Sequence, residues 1–288
     1  MELLLQLAVN GIANGSTYAL LAVAWALIFS TTRVVHFAFG PFYTLAAYLV
    51  WSAAMPLKLP LALAAVLGIA AAALAGVLSY LLLYRSFEKR NAPPVVVMIV
   101  SLGLFMMLEN AIAIGFGTSA KVVQGLQLPV LLLGPVFVTS VQLLQVASLA
   151  VVGGALAWFL ARARSGQAIV AMTDNLEMAR IIGIDTFRVS ILVFAIGTAI
   201  SAVCATQMLL RDGAVPHMGF PAVFIAFVGV FVGGVGSLRG AALAGMLLGL
   251  VENVGMWGIP TEWQGSISFA LLFAILLVRP TGLFGARS

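Results

Sequence analysis

Six polar side chains stand inside or beside long apolar runs, where a hydrogen bond or a charge would be available to a solute. Asn10, Asn14 and Thr17 follow one another at four- and three-residue spacing, so they share one face of a helix. Glu252 and Asn253 place a carboxyl and an amide in another apolar run, and His36 lies between two runs. This pattern predicts a polar wall along a substrate pathway. The alternative is a set of hydrogen bonds that hold helices together.

The apolar runs around these residues are long enough to cross a bilayer. Hydrophobic residues make up 63% of the 288 residues and charged residues only 8%, whereas a soluble domain has about a quarter charged residues. Runs of roughly 20 apolar residues match a hydrocarbon core of about 30 Å, and they lack the alternation of barrel strands. The sequence therefore predicts an all-α, polytopic helical membrane protein with about eight or nine transmembrane helices, in one domain over residues 1–288.

Nine apolar runs are candidates for these helices. The run over residues 222–236 is short and glycine-rich, which also fits a half-helix or a re-entrant element. The runs are Leu3–Phe29, Phe37–Ala54, Leu61–Tyr84, Val95–Gly115, Val141–Ala161, Val189–Leu210, Ala222–Gly236, Ala241–Gly258 and Ser266–Val278.

Basic residues in the short connections predict the orientation. If the runs cross the membrane one after another, most of these basic residues lie on the same side of it. The positive-inside rule makes that side cytoplasmic, with the N-terminus outside and the C-terminus inside. The net charge of +5 is explained by this asymmetry, so we expect no nucleic-acid partner. The basic residues of this face are Arg85, Lys89, Arg90, Arg162, Arg164, Arg239, Arg279 and Arg287, while Lys58, Lys121 and Arg211 fall outside.

Small residues repeat at three- and four-residue spacing on two runs. They allow helix backbones to approach closely, either within the chain or at a subunit interface. They are Ala64, Ala65, Gly68, Ala71, Ala72, Ala75 and Gly76 on one run, and Gly240, Ala241, Ala244, Gly245 and Gly249 on the other.

The longest polar stretch, residues 162–188, predicts a short helix in a cytoplasmic loop. Asp174 is the expected N-cap, and Glu177 three residues later completes a capping box. Gly183 suits the left-handed position that ends a helix, and Asp185 or Thr186 caps the next membrane helix. The apolar side, Met178, Ala179, Ile181 and Ile182, would dock a cytoplasmic partner. Alternatively, it rests on the membrane surface or on the protein itself.

Catalysis is not supported by the remaining polar residues. An intramembrane protease needs a Ser–His pair, two membrane aspartates or a metal cluster. Asp174, Asp185 and Asp212 fall in predicted loops, and the two histidines, His36 and His217, fall on opposite faces. The sequence also has no Gly-x-Ser-x-Gly or His-Glu-x-x-His motif. We therefore expect no catalytic residue and no metal site.

Four motifs, in order along nearly the whole chain, resemble the branched-chain amino-acid permeases of ATP-binding-cassette importers, and the first favours the H-type of their two membrane subunits. The glutamate common in the third of these motifs coincides with Glu252. In the first motif, His36 stands where the family usually has Asn, and Phe39 stands where it usually has His. The role of that motif in the family therefore does not carry over directly to this chain. The motifs read NGIANGSTYALLAVAWALIFSTTRVVHFAFG, DNLEMARIIGIDTFRVS, VGGVGSLRGAALAGMLLGLVEN and SFALLFAILLVRPTGLFG.

The resemblance implies a permease subunit that forms half of a translocation pathway in a bacterial inner membrane. Its partners would be a second, homologous M-type permease, two cytoplasmic ATP-binding subunits and an extracytoplasmic substrate-binding protein. ATP would be bound by the partners, because this chain has no Gly-x4-Gly-Lys-Ser/Thr motif. The residues that couple to the ATP-binding subunits would be Asp174, Glu177, Met178, Ala179, Ile182 and Gly183.

The substrate is left open between several classes. Branched-chain or related amino acids are the first expectation, and urea, amides and small aromatic acids are the alternatives within the family. A stand-alone secondary transporter is a further alternative. A secondary transporter would have no use for a coupling helix, so the loop helix is the feature that separates it from an ATP-driven importer.

Overall fold

The chain folds almost entirely into helices, as its composition predicts. The computed structural model describes residues 1–125, 129–258, 260 and 263–285. Arg287, counted above among the basic residues of the C-terminus, lies outside the described residues. In chain order the first helices are α1 (Glu2–Thr32), α2 (Phe39–Ala54), α3 (Leu61–Ser79), a π-helical turn (Tyr80–Tyr84), α4 (Arg85–Lys89) and α5 (Pro94–Phe116).

The second half of the chain begins with a β-hairpin and then returns to helices. Strands β1 (Val130–Leu133) and β2 (Val136–Thr139) pair antiparallel, with Val130 opposite Thr139. The helices that follow are α6 (Ser140–Ser148), a second π-helical turn (Leu149–Gly153), α7 (Gly154–Arg162), α8 (Arg164–Asp174), α9 (Leu176–Ile181), α10 (Thr186–Asp212), α11 (Gly219–Gly233), α12 (Leu238–Gly255) and α13 (Gln264–Val278).

Each of the nine predicted apolar runs coincides with a helix. Within the described residues, six helices are long and apolar enough to span a membrane: Glu2–Thr32, Leu61–Lys89, Pro94–Phe116, Ser140–Arg162, Thr186–Asp212 and Leu238–Gly255. Helix α11 has 15 residues and, at about 1.5 Å per residue, is shorter than a hydrocarbon core of about 30 Å. The polytopic helical fold is therefore confirmed. The count of eight or nine crossings, which also needs α2, α11 and α13 with 16, 15 and 15 residues, stays a prediction.

The chain groups into two compact units built from alternating segments. The first contains Met1–Ala26, Gly125–Gly154 and Phe224–Ser288, and the second contains Leu27–Gln124 and Ala155–Val223. Since both units are assembled from separated stretches of chain, the single domain over residues 1–288 stays a prediction.

The first unit depends on close packing between α1 and α12. A Cβ atom added at Gly249 would lie 2.3 Å from the Cα of Gly15, and one added at Gly245 would lie 2.5 Å from the backbone nitrogen of Ala19. Only glycine allows two backbones to approach this closely. The small-residue stripe on α12 is thus used for packing within the chain, beside an apolar core that includes Val228, Leu248 and Leu272.

The second unit has a core of three mutually packed helices, α2, α3 and α10. The small residues of α3 make the contacts: a Cβ at Gly68 would meet the side chain of Val50, and one at Gly76 would meet the side chain of Thr198. The short distances, 2.4 Å in both cases, explain why this face of α3 carries glycine and alanine.

The long helices differ strongly in how much of their surface the chain itself covers. In α1, 78% of the most apolar window is buried, and in α10 the share is 67%. In α5 and in the Ser140–Arg162 helix it is only 17%. The exposed apolar side chains of α5, among them Ile99, Met106 and Ile114, are suited to contact with lipid or another membrane subunit.

Charged residues of the second unit gather at its two ends. At one end Arg85, Lys89 and Arg180 line a common surface hollow. At the other end of α5 and α10, Lys121 pairs through its backbone with Ala214, and His217 forms an ion pair of 3.1 Å with Glu109. This grouping agrees with the predicted cytoplasmic and outer faces, and the orientation itself stays a prediction.

Candidate functional site

The loop helix exists, but its N-terminal cap is one residue later than predicted. Asp174 is the last residue of α8, and Asn175 caps α9 by accepting a hydrogen bond from the backbone N–H of Met178 at 2.9 Å. The assignment of Asp174 as N-cap is therefore wrong. Glu177 becomes the second helical residue, so it does not occupy the position that closes a capping box.

The C-terminal end of α9 is as predicted. Gly183 has φ +87°, the left-handed conformation that glycine adopts without strain. Its N–H donates to the carbonyl of Arg180, and the N–H of Ile184 donates to the carbonyl of Ala179. These two bonds form a Schellman motif. Asp185 then caps α10 by accepting from the N–H of Arg188 at 3.1 Å, which confirms the predicted start of that helix.

The apolar residues of α9 face two directions. Ala179 is buried, whereas the residues Met178, Ile181 and Ile182 are 54%, 74% and 65% exposed. Of the predicted coupling residues, Ala179 thus faces the protein and is not part of the exposed surface. Met178, Ile181 and Ile182 form a small exposed apolar cluster on a helix that is capped at both ends, and its role in docking a partner stays a prediction.

The polar residues of α1 and α12 meet in the first unit. Asn14 Nδ2 donates to Asn253 Oδ1 at 3.2 Å, and Asn253 Nδ2 donates to the carbonyl of Gly249 at 2.8 Å. Asn10 Oδ1 accepts from Gln142 Nε2 at 2.7 Å and from Gln6 Nε2 at 3.1 Å. The structure thus brings the two predicted sets of residues together.

The β-hairpin takes part in this network through Gln6. Its side-chain amide donates to the carbonyl of Phe137 at 3.0 Å, and its side-chain oxygen accepts from the N–H of Phe137 at 2.9 Å. Gln142 also completes a capping box with Thr139 at the start of α6. Sequence reasoning missed Gln6 and Gln142. The signal for the hairpin was the Gly134-Pro135 pair between two short apolar runs, Val130–Leu133 and Val136–Thr139.

Glu252 is a buried carboxyl in the first unit. It is only 3% exposed and accepts a hydrogen bond from the hydroxyl of Ser268 on α13. Tyr18 and Gln264 also interact with the carboxyl. Thr17, the remaining predicted member on α1, is buried as well. These contacts favour the helix-holding role for the amides, and a role in the substrate pathway stays a prediction.

His36 belongs to the second unit and lies between α1 and α2. Its ring is fully buried, and Nδ1 shares a hydrogen bond of 2.8 Å with the hydroxyl of Tyr84. Phe42 and Phe194 pack against the imidazole, with ring centroids 5.6 and 5.1 Å away. Burial lowers the pKa of His36 to about 3, so the ring is neutral at physiological pH. This environment does not favour direct contact with a solute.

Replacing Glu252 by Gln separates a packing role from a transport role. Gln retains the volume and the hydrogen bond to Ser268, so thermal stability should change by less than about 1 kcal/mol. We expect substrate uptake to fall by roughly tenfold, the effect of about 1.4 kcal/mol on a barrier, because the ionisable group is removed. Uptake into vesicles and thermal unfolding measure the two effects. Ser268→Ala is the control for the hydrogen bond, and full uptake by Glu252→Gln would contradict a pathway role.

Comparison with known proteins places this fold in a transport class. The family model described as branched-chain amino acid transport system / permease component matches residues 7–276. The chain is 31% identical over 300 residues to the high-affinity branched-chain amino acid transport system permease protein LivH of Escherichia coli K12. This alignment covers 98% of this chain and 95% of LivH. The chain is 30% identical over 297 residues to BraD of Pseudomonas aeruginosa, with the same coverage.

A more distant similarity covers a shorter part of the chain. The xylose transport system permease protein XylH of Escherichia coli is 33% identical over 119 residues, or 38% of this chain. The chain is a multi-pass membrane transport component and not an enzyme. It belongs to the family of branched-chain amino acid transport permease components.

Proposed function

We propose that this chain forms half of the translocation pathway of an ATP-driven importer in a bacterial inner membrane. The observation that carries the proposal is the exposed apolar cluster of Met178, Ile181 and Ile182 on a helix capped at both ends. A cluster of this kind, on a loop between two membrane helices, fits a groove on an ATP-binding subunit. A stand-alone transporter would have no use for such a surface.

The proposed assembly contains four kinds of subunit. A second, homologous M-type permease would complete the pathway, and two cytoplasmic ATP-binding subunits would dock on the loop helices. An extracytoplasmic protein would deliver the substrate. ATP would be held by the docking subunits, since the sequence of this chain has no phosphate-binding Gly-x4-Gly-Lys-Ser/Thr motif.

The proposed substrates are branched-chain or related amino acids. The relatives LivH and BraD are named for branched-chain amino acids, and the match to them extends over nearly the whole chain. Urea, short amides and small aromatic acids are the competing substrates, because His36 and Phe39 depart from the usual family motif.

Uptake into vesicles tests both the mechanism and the substrate. The chain, purified with the subunits that accompany it, is reconstituted with ATP on the side of the loop helix. We expect ATP-dependent uptake of labelled leucine, isoleucine or valine. A variant of the ATP-binding subunit that cannot hydrolyse ATP is the matched control. ATP-dependent uptake of urea, an amide or an aromatic acid instead would show that the substrate belongs to that class. Uptake that persists without ATP would contradict the proposal of an ATP-driven importer.

A further inference from the structure

The carboxylate of Glu88 joins the loop helix to a membrane helix of the second unit. Glu88 on α4 accepts from Arg180 on α9 through Oε1 at 3.2 Å and from the hydroxyl of Tyr80 through Oε2 at 2.9 Å. The side chains of Arg180 and Glu88 are 52% and 44% exposed, so their ion pair adds little to stability. Its value is positional, because it ties the coupling loop to a buried tyrosine.

Tyr80 is the first residue of a π-helical turn whose last residue, Tyr84, makes the next connection. The hydroxyl of Tyr84 bonds to His36 Nδ1 at 2.8 Å and donates to Ser101 Oγ at 2.9 Å. Ser101 in turn accepts from the backbone N–H of Phe37 at 2.7 Å. Both ends of the π turn thus bear a tyrosine with a specific partner, one toward the loop helix and one toward the connection between α1 and α2. Single π turns are rare within helices and are frequently found at functional sites.

Two further features surround this chain of contacts. Phe194 on α10 packs against the rings of Tyr80, Tyr84 and His36, with centroids 5.2, 5.4 and 5.1 Å away. A cavity of about 220 Å³ is lined by Tyr80, Tyr84, Glu88 and Arg180, among others. Phe194 thus contacts both tyrosines, and the cavity is lined by residues of both α4 and the loop helix.

We propose that Glu88, Tyr80 and Tyr84 are positioning residues that carry a displacement of the loop helix into the α1–α2 connection, residues 33–38. The path runs from Arg180 through Glu88 to Tyr80, across the π turn to Tyr84, and from there to His36 and Ser101. This inference rests on the proposed function, because the displacement comes from an ATP-binding subunit docked on α9.

Amide hydrogen exchange in the assembled transporter tests the proposal without knowledge of the substrate. Exchange is measured with and without a non-hydrolysable ATP analogue. In the unmodified protein, the analogue should change exchange both in residues 176–183 and in residues 33–38. Tyr84→Phe and Glu88→Ala should retain the change at 176–183 and lose at least half of the change at 33–38.

Two further variants separate transmission from a general structural effect. Arg180→Lys retains the charge that pairs with Glu88 and should preserve the response at 33–38. Tyr48→Phe removes another buried hydroxyl of the same unit, whose partner is the carbonyl of Ala214 at 3.5 Å, and should leave both responses unchanged.

The failures of the two proposals can be told apart. If the analogue does not change exchange even at residues 176–183, the docking of an ATP-binding subunit on the loop helix is wrong. If it changes exchange there but not at 33–38, or if Tyr84→Phe and Glu88→Ala retain the full response at 33–38, the transmission path is wrong. An equal loss in Tyr48→Phe would also overturn the path.

Discussion

Replacing Met178 by Asp is expected to abolish transport while ATP hydrolysis by the assembled subunits continues. Met178 is 54% exposed on α9, so its replacement removes only part of a side chain's contacts with the folded chain. A carboxylate at the centre of an apolar docking surface would instead have to be desolvated on binding, which costs several kcal/mol. Ile182→Asp should behave in the same way. Uptake and ATP hydrolysis, measured in the same vesicles, give the number of substrate molecules moved per ATP.

Gly183→Pro should produce the same uncoupling through the backbone. Proline fixes φ near −65°, whereas Gly183 has φ +87°, so the C-terminal cap of α9 would be lost. The control is Arg164→Gln, which changes an exposed charge on the same loop, at the start of α8, and leaves the apolar cluster intact. Normal transport per ATP in Met178→Asp, Ile182→Asp and Gly183→Pro together would rule out the docking surface.

Replacing Gly249 by Val should prevent stable folding of the first unit. The new Cβ would lie 2.3 Å from the backbone of Gly15 and 2.9 Å from the carbonyl oxygen of Gly11. These are backbone atoms, so relief requires α1 and α12 to separate, with loss of the bond between Asn14 and Asn253. Overpacking costs typically about 1–3 kcal/mol when side chains can adjust, and we expect more than about 3 kcal/mol here. Thermal unfolding of the purified chain measures the loss.

Gly103→Val is the matched control for this substitution. Gly103 also lies within a long apolar helix, α5, but a Cβ there would meet nothing within 4 Å. Its thermal unfolding should therefore stay close to that of the unmodified protein. Equal stability of Gly249→Val and Gly103→Val would mean that α1 and α12 do not pack as closely as described.

The membrane helices could be predicted because hydropathy is a local property of the sequence. The same holds for the loop helix, whose C-terminal end at Gly183 depends on one backbone conformation. Its N-terminal end was predicted wrongly at Asp174, because Asp174 and Asn175 are adjacent and both residue types are good N-caps. The chain uses the second of them, and Asp174 is instead taken into the end of α8. Composition alone does not decide between two such neighbours.

Contacts between distant residues were beyond prediction from the sequence. Tyr84 bonds to His36, 48 positions earlier, and to Ser101, 17 positions later. Nothing in the local pattern around any of the three indicates the others. The π turns leave no clear signal either, because Tyr80–Tyr84 reads as ordinary apolar helix. The hydrogen bond between Asn14 and Asn253, 239 positions apart, is a further contact that the sequence did not predict. The pattern assigned both residues to a polar pathway wall, and that role stays a prediction.

The chain buries very different shares of its long helices, so the residues of these helices should tolerate different replacements during evolution. In α1 and α10, most of the apolar surface is enclosed by the chain, so a replacement there must match the lost side chain in size and shape. Where α5 meets only lipid, a replacement needs only to be equally apolar, since acyl chains adapt to any outline. Along α5, leucine, valine, isoleucine and methionine should therefore interchange freely, and positions there that resist such exchange in a mutational scan would mark where another membrane subunit replaces lipid.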